Sequence, residues 1–200
     1  MWINFLVIFL QFISGSIMYS YILANILKVD LSKVRDGNPG ASNLWRAVGW
    51  KWGVLALILD YLKGAFPISL FVALGIVKNN YIIALSCLAG ILGHAFSPML
   101  NFKGGKAVAV SFGAWSVLTK WEAPTILGTV FTIFTIFKPK GTTVEEDAFR
   151  VLIGFLVLLP YVLYKFYLGY HPILLLYVGN LIVILYKHWK DLRNYFNTMF

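Results

Sequence analysis

Seven apolar stretches dominate this 200-residue chain, near residues 3–27, 49–77, 81–100, 107–120, 123–137, 149–166 and 170–187. A helix crossing a bilayer needs about 20 apolar residues, with a range of roughly 17–25. Composition agrees with that reading. Hydrophobic residues make up 60% of the chain and charged residues 12%, whereas a soluble domain carries about a quarter charged residues. Mean hydropathy is +0.77. The expected fold is therefore an all-α integral membrane protein, a bundle of about seven transmembrane helices. The fourth and fifth runs are short for a crossing. The linkers are too short for a second domain, so residues 1–200 read as a single membrane-embedded domain.

Charge orients the bundle. Seven crossings put residues 28–51, 94–106, 138–150 and the tail after 186 on one side. Those segments hold Lys28, Lys33, Arg35, Arg46, Lys51, Lys103, Lys106, Lys138, Lys140, Arg150, Lys187, Lys190 and Arg193, thirteen of the seventeen basic residues. Lys78, Lys120 and Lys165 fall on the other side. Basic residues concentrate in the cytoplasm, which places the N-terminus outside and the C-terminus and the rich loops inside. No lysine or arginine precedes Lys28, so the first run lacks the basic leader of a cleaved signal peptide. The net charge of +9 then reflects topology and attraction to anionic lipid. Basic residues split among four short loops argue against a nucleic-acid partner. Cys87, the lone cysteine, lies in an apolar run and reads as packing.

Two of the basic loops have the composition of an anion site. The first is Asp36-Gly37-Asn38-Pro39-Gly40-Ala41-Ser42-Asn43-Leu44-Trp45-Arg46. Gly37, Pro39 and Gly40 force a compact turn. Asn38, Ser42 and Asn43 supply donors, and Arg46 supplies a cation. A plain cytoplasmic turn with Ser42 or Asn43 as a helix cap is the simpler alternative. The second loop runs from His94 to Phe102-Lys103-Gly104-Gly105-Lys106 and leads into the apolar run at Ala107. Its glycines are expected at a helix N-terminus, where free N–H groups and the helix dipole favour an anion. Leu100 and Ala107 occupy places where a nucleotide-binding P-loop needs glycine and serine or threonine. His94, taken by itself, reads as an interfacial hydrogen-bonding residue.

Two pairs of polar residues lie in or beside spans. Asp60 and Lys63 share a helix face at i, i+3. Charges at a helix centre cost about 2.5–3.5 kcal/mol each on insertion scales, so both should face the bundle interior. They form either a structural ion pair or a device that orients a group such as Arg46. His188 and Asp191 share a face where the last run leaves the membrane. His188 is a candidate base or phosphate donor, and interfacial snorkelling is the simpler alternative. Glu145-Glu146-Asp147 reads as a solvated helix start. There is no Gly-x-Ser-x-Gly elbow and no Cys/His metal spacing. Met99, Leu176 and Arg193 stand five residues after the three histidines, which excludes a His-x4-Asp acyltransferase.

The loops resemble the bacterial acyl-phosphate:glycerol-3-phosphate acyltransferases, the PlsY family. The resemblance rests on Gly37-Asn38-Pro39-Gly40-Ala41-Ser42-Asn43 with Arg46, on Asp60-Tyr61-Leu62-Lys63-Gly64, and on Gly93-His94 through Phe102-Lys103-Gly104-Gly105-Lys106, in order and spacing. It covers most of the chain. It implies a seven-helix enzyme of the bacterial cell membrane with its active site on cytoplasmic loops. The implied substrates are acyl-phosphate and glycerol 3-phosphate, with membrane lipids around them and no cofactor or metal. By position it implies essential cations at Arg46 and Lys106, a phosphate loop at residues 37–43, backbone donors at Gly104 and Gly105, and His188 near glycerol 3-phosphate. His94 and Lys103 fall within the same phosphate-binding set.

The chain departs from the family pattern at several places. Asp36 stands for a serine and Asp191 for an asparagine. Ala107 and Val110 stand for glycine and threonine, and residues 141–150 lack a serine-rich stretch. A carboxylate at Asp36 opposes an anion unless it is paired. The departures mark a divergent member and leave two other functions open. One is a small transporter of anionic solutes. The other is a divergent relative that uses another acceptor or, without catalysis, binds lipid or a membrane partner. The sequence carries no signal for oligomeric state.

Overall fold

The structure is a computed structural model that describes residues 2–137 and 142–198. Lys138 and Lys140 of the charge pattern lie outside the described residues, as does Gly141. The described residues form nine α-helices and two 3-10 turns, Leu31–Lys33 and Pro98–Leu100. The helices are α1 (Trp2–Ser16), α2 (Tyr19–Ile26), α3 (Ala41–Val48), α4 (Trp50–Ala73), α5 (Asn80–Ala95), α6 (Val108–Thr119), α7 (Glu122–Phe137), α8 (Val144–Tyr167) and α9 (Pro172–Asn197).

Five segments are long and apolar enough to cross a membrane: Trp2–Ile26, Trp50–Ala73, Asn80–Leu100, Val144–Tyr167 and Pro172–Asn197. Helices α6 and α7 have 12 and 16 residues. At 1.5 Å per residue they reach roughly 18 and 24 Å, short of a hydrocarbon core of about 30 Å. The outer faces carry large apolar side chains such as Phe5, Phe9, Phe66, Leu70 and Ile182, all exposed, as lipid contact requires.

The first apolar run is not one helix. It breaks between α1 and α2 at Ile17 and Met18. Irregular backbone at membrane depth is tolerated where protein covers its polar groups. Here Lys63 Nζ donates to the Ile17 carbonyl at 2.5 Å, and Ser97 Oγ donates to the Ser16 carbonyl at 2.5 Å. Gln11 Nε2 and Ser14 Oγ donate back to the Lys63 carbonyl at 3.0 and 3.1 Å. Among the buried residues of α4, Gly53, Ala56, Asp60, Lys63, Gly64 and Ile68 recur at helical spacing, with Ala65 beside them. One stripe therefore carries both the packing and the charges.

Helices that cannot be driven together by the hydrophobic effect in lipid rely on close approach and on hydrogen bonds. A Cβ on Gly113 would run into the Tyr61 carbonyl, so α6 meets α4 backbone to backbone. The α6–α9 contact is polar instead. Trp115 Nε1 donates to Asn180 Oδ1 at 3.0 Å, and Asn180 Nδ2 donates to Ser111 Oγ at 2.9 Å. These buried bonds fix the rotation of the helices that bring Lys106 and His188 to the site.

Candidate active site

Loop contacts place the chemistry at one end of the bundle. The segment between α2 and α3, the segment before α6, the start of α8 and the end of α9 all meet there. At the opposite end, Glu122 accepts from Tyr161 at 2.8 Å and Lys165 at 3.0 Å.

Asn43 builds the first loop. It is 2% exposed, and its Nδ2 lies at hydrogen-bond distance from three acceptors. These are the Val34 carbonyl at 3.0 Å, Asp36 Oδ1 at 2.7 Å and the Asn38 carbonyl at 3.0 Å. Its amide hydrogens are thus committed to holding the turn. Gly37 adopts φ +70°, a left-handed conformation suited to glycine. The Gly37 N–H donates to the Val34 carbonyl at 2.9 Å, and the Gly40 N–H to the Asn38 carbonyl at 2.8 Å. Helix α3 then starts at Ala41, with Gly40 as its cap. Gly40, Ala41 and Ser42 face the cavity at the positive end of that helix.

Lys106 joins three elements. Its Nζ donates to Asp36 Oδ2 at 2.7 Å and to Asp191 Oδ2 at 2.6 Å. Burial opposes the charge on Asp36. The hydrogen bonds from Lys106 and Asn43, with the Lys106 charge, outweigh it and hold the carboxyl below its ordinary value. Asp36 is therefore ionised and paired. Asp191 is the partner of Lys106. His188 instead places Nδ1 at 2.8 Å from the Ile184 carbonyl in its own helix. That oxygen can only accept, so Nδ1 donates and Nε2 is the basic nitrogen. His188 and Asp191 share a helix face as the sequence spacing implies, but they take different partners.

The second loop differs from its sequence reading. Helix α6 starts at Val108, and Ala107 before it has φ +61°. Gly104 and Gly105 lie ahead of that helix start. The Gly105 N–H donates to the His94 carbonyl at 3.1 Å, and the Gly104 carbonyl accepts from Lys187 Nζ at 2.7 Å. A Cβ on Gly104 would run into the His94 carbonyl, and one on Gly105 into His94 Nε2. In this structure the two glycines let the loop pack against His94. Lys103 is exposed.

Asp60 and Lys63 form a buried ion pair at 2.8 Å, with side chains 3% and 1% exposed. His94 Nδ1 lies 3.9 Å from Asp60 Oδ1, too far for a hydrogen bond. Arg46 is not seated on this pair. Its Nη1 donates to the Ser42 carbonyl at 3.1 Å, one turn back in α3. Burial and the nearby Arg35 lower its guanidinium pKa from the ordinary value, and Asp147 and Asp36 raise it. It keeps its charge.

A cavity of about 360 Å³ unites these groups. Asp36, Asn38, Gly40, Ser42, Asn43, Asp60, His94, Lys106 and His188 line it. Gly37, Arg46, Lys63, Lys103, Gly104, Gly105 and Asp191 stand behind or beside that lining. The other wall is apolar, with Leu57, Val108, Phe112, Phe131 and Val151. Sequence reasoning missed Tyr61, Arg35, Asp147 and Arg150, which also line it. Tyr61 OH donates to Ser116 Oγ at 2.8 Å. Asp147 is not simply solvated. Its Oδ2 accepts from Arg35 at 2.7 Å, and its Oδ1 accepts from Thr142 Oγ1 at 2.6 Å and from Arg150 at 2.9 Å. No spacing rule links Arg35 to Asp147 across 112 residues. Among the described residues no group of three or more histidine, cysteine or acidic side chains is placed to hold a metal.

The fold and cavity define a class: a multi-pass helical membrane protein with a cation-bearing chamber at one end, walled on one side by apolar side chains. Such a chamber suits molecules that are both phosphorylated and lipid-like. Residues 5–198 match the family model for glycerol-3-phosphate acyltransferase, and the chain belongs to that family. It is 58% identical over 198 residues to glycerol-3-phosphate acyltransferase 1 of Thermotoga maritima, covering 96% of this chain and 98% of that one. It is 33% identical over 199 residues to the glycerol-3-phosphate acyltransferase of Endomicrobium trichonymphae, covering 96% and 92%. The crystal structure of PlsY (YgiH), an integral membrane glycerol 3-phosphate acyltransferase in its glycerol 3-phosphate form, superposes with a TM-score of 0.82. The identity is 26%, over 98% of this chain and 92% of that one. The lysophosphatidic acid form of the same enzyme gives a TM-score of 0.75 at 27% identity.

Proposed function

We propose that this protein transfers a fatty acyl group from an acyl-phosphate to the 1-hydroxyl of glycerol 3-phosphate. The products are lysophosphatidic acid and inorganic phosphate, in the first step of phospholipid synthesis. One observation carries the reading. Lys106 sits in a cavity that joins the first loop, His188 and an apolar wall, so phosphate and hydrocarbon can be held side by side.

The acyl chain lies along Phe112, Phe131 and Leu57. The head group rests on the first loop and Lys106, at the N-terminus of α3. The hydroxyl oxygen of glycerol 3-phosphate attacks the acyl carbonyl carbon. The carbonyl carbon–oxygen bond to phosphate breaks, and phosphate departs with the electron pair. The hydroxyl proton passes to His188 Nε2 or to the phosphate. Phosphate leaves readily, so the protein contributes chiefly by positioning and by balancing charge. Lys106 and Arg46 are the essential cations, and Gly37, Asn38, Gly40 and Ser42 shape the phosphate seat. Asn43, His94, Gly104 and Gly105 hold that seat in place, as Asp60 with Lys63 holds α4 and the break after α1. Lys103 meets phosphate.

The chain acts as one membrane domain in the bacterial cytoplasmic membrane. It crosses seven times, with α6 and α7 as short crossings. Its N-terminus is outside and the cavity opens to the cytoplasm, in line with the basic loops.

The test is release of inorganic phosphate by the purified protein in lipid, given palmitoyl-phosphate with and without glycerol 3-phosphate. Release should require glycerol 3-phosphate and vanish in Lys106→Ala. Release without the acceptor, or undiminished in the variant, would overturn the assignment.

A further inference from the structure

The cavity has two ionic clusters of opposite balance. In the first, Lys106 faces two carboxylates, Asp36 and Asp191, at 2.7 and 2.6 Å. In the second, Asp147 faces two guanidinium groups, with Arg35 Nη1 at 2.7 Å and Arg150 Nη2 at 2.9 Å. The first cluster carries one surplus negative charge and the second one surplus positive charge. An incoming dianionic head is attracted to the second.

The second cluster also sits against the hydrocarbon wall. The Arg150 guanidinium lies 5.1 Å from the ring centre of Phe131, and Phe131 packs on Phe112 at 5.6 Å. Both rings line the cavity, as do Arg35, Asp147 and Arg150. Arg150 Nε is buried without a hydrogen-bond partner. The cluster is anchored on two elements, because Arg35 Nη2 donates to the Thr142 carbonyl at 2.7 Å and Thr142 Oγ1 donates to Asp147 at 2.6 Å. Paired guanidinium groups offer the fork geometry that matches phosphate oxygens.

We infer that Arg35 and Arg150, held by Asp147, bind the phosphate of the acyl donor at the foot of the Phe112–Phe131 wall. Asp147 is a positioning residue that keeps both guanidinium groups facing one point. Lys106, already met by two carboxylates, adds less net positive charge at that head than the two guanidinium groups do. The inference rests on the acyl-phosphate reading above and adds to it the residues that grip the donor.

The test uses the full chain in lipid nanodiscs, with Arg35→Ala, Arg150→Ala and Asp147→Asn. Two quantities are measured: KM for palmitoyl-phosphate and for glycerol 3-phosphate, and Kd for hexadecylphosphonate. The phosphonate keeps tail and dianionic head but has no acyl group to transfer. In each arginine variant the KM for palmitoyl-phosphate and the Kd for hexadecylphosphonate should rise about tenfold or more, the scale of one lost charge-assisted hydrogen bond. The KM for glycerol 3-phosphate should stay within about twofold, since its phosphate is held elsewhere by other contacts. Asp147→Asn should move the same two quantities by less, and Arg150→Lys should restore them only in part, because an ammonium lacks the fork. If alanine prevents folding, Arg35→Gln and Arg150→Gln keep the length, lose the charge and carry the same readout. An unchanged Kd for hexadecylphosphonate in both arginine variants would overturn the inference. So would an equal rise in the KM for glycerol 3-phosphate, which marks a purely structural ion cluster. Arginine-dependent binding of hexadecylphosphonate by a wild-type protein that releases no phosphate from palmitoyl-phosphate would uphold the anion site and reject the donor reaction.

Discussion

Asp36 and Asp191 stand beside a proposed phosphate site, and their shared contact with Lys106 accounts for both. In the sequence they read as charges opposed to an anion. In the structure they hold the cation that joins the first loop to α9. Asp36 has a depressed carboxyl pKa, so its pairing stabilises the fold above the unfolded carboxylate value of about 3.9. That contribution is lost as pH falls through the lower folded value. Melting temperature followed from pH 6 to pH 3 should therefore fall less steeply in Asp36→Asn than in the wild type. Equal slopes would show that the pair contributes nothing to stability. Lys106 and Arg46 were legible as cations, and His188 as a candidate base, but their relative weight is a matter of mechanism. If charge neutralisation dominates, Lys106→Ala and Arg46→Ala should lower kcat/KM by about a hundredfold or more, the scale of a lost transition-state donor. His188→Ala should then cost distinctly less. The same phosphate-release assay decides, and a His188 loss larger than both would make base catalysis the main contribution.

Helical elements were the easiest part to read. Apolar runs became helices because a bilayer leaves backbone groups no other partner than their own chain. Two boundaries escaped. The break at Ile17 and Met18 follows Ser14-Gly15-Ser16, a weak signal inside an apolar run, and it exists because Lys63 and Ser97 from other elements take the freed carbonyls. Helix α6 starts at Val108, beyond the glycines, although a Gly-Gly-Lys sequence before an apolar run has the pattern of a helix N-terminus. Those glycines instead answer to His94, which leaves no space for a Cβ at either one. The α4–α6 contact makes a similar demand. In Gly113→Ala the new methyl group meets the Tyr61 carbonyl and backbone of α4, an overpacking that costs roughly 1–3 kcal/mol. A melting temperature in detergent equal to that of the wild type would mean that α6 can shift away from α4 without loss.

At the scale of the molecule, charge distribution and tertiary contacts agree on one working end. The loops richest in lysine and arginine are those that Lys106, Asp36, Asp191, Arg35 and Asp147 tie together. Topology can be measured directly. In a Cys87→Ala background, Lys103→Cys should react with a membrane-impermeant thiol reagent from the cytoplasmic side, and Lys165→Cys from the outer side. Labelling of both from one side would reject the seven-crossing path. The sequence by itself determined the membrane class, the approximate helices and the two glycine-rich loops with their cations. Composition, local turn chemistry and hydropathy act over tens of residues and need no partner. Tertiary structure decided which charges meet. It paired Lys106 with two distant carboxylates, gave His188 a backbone partner, and joined Arg35 to Asp147 and Arg150. The Lys106 and Arg35 pairings depend on helix rotation and close approach between segments far apart in the chain, and no local pattern encodes them.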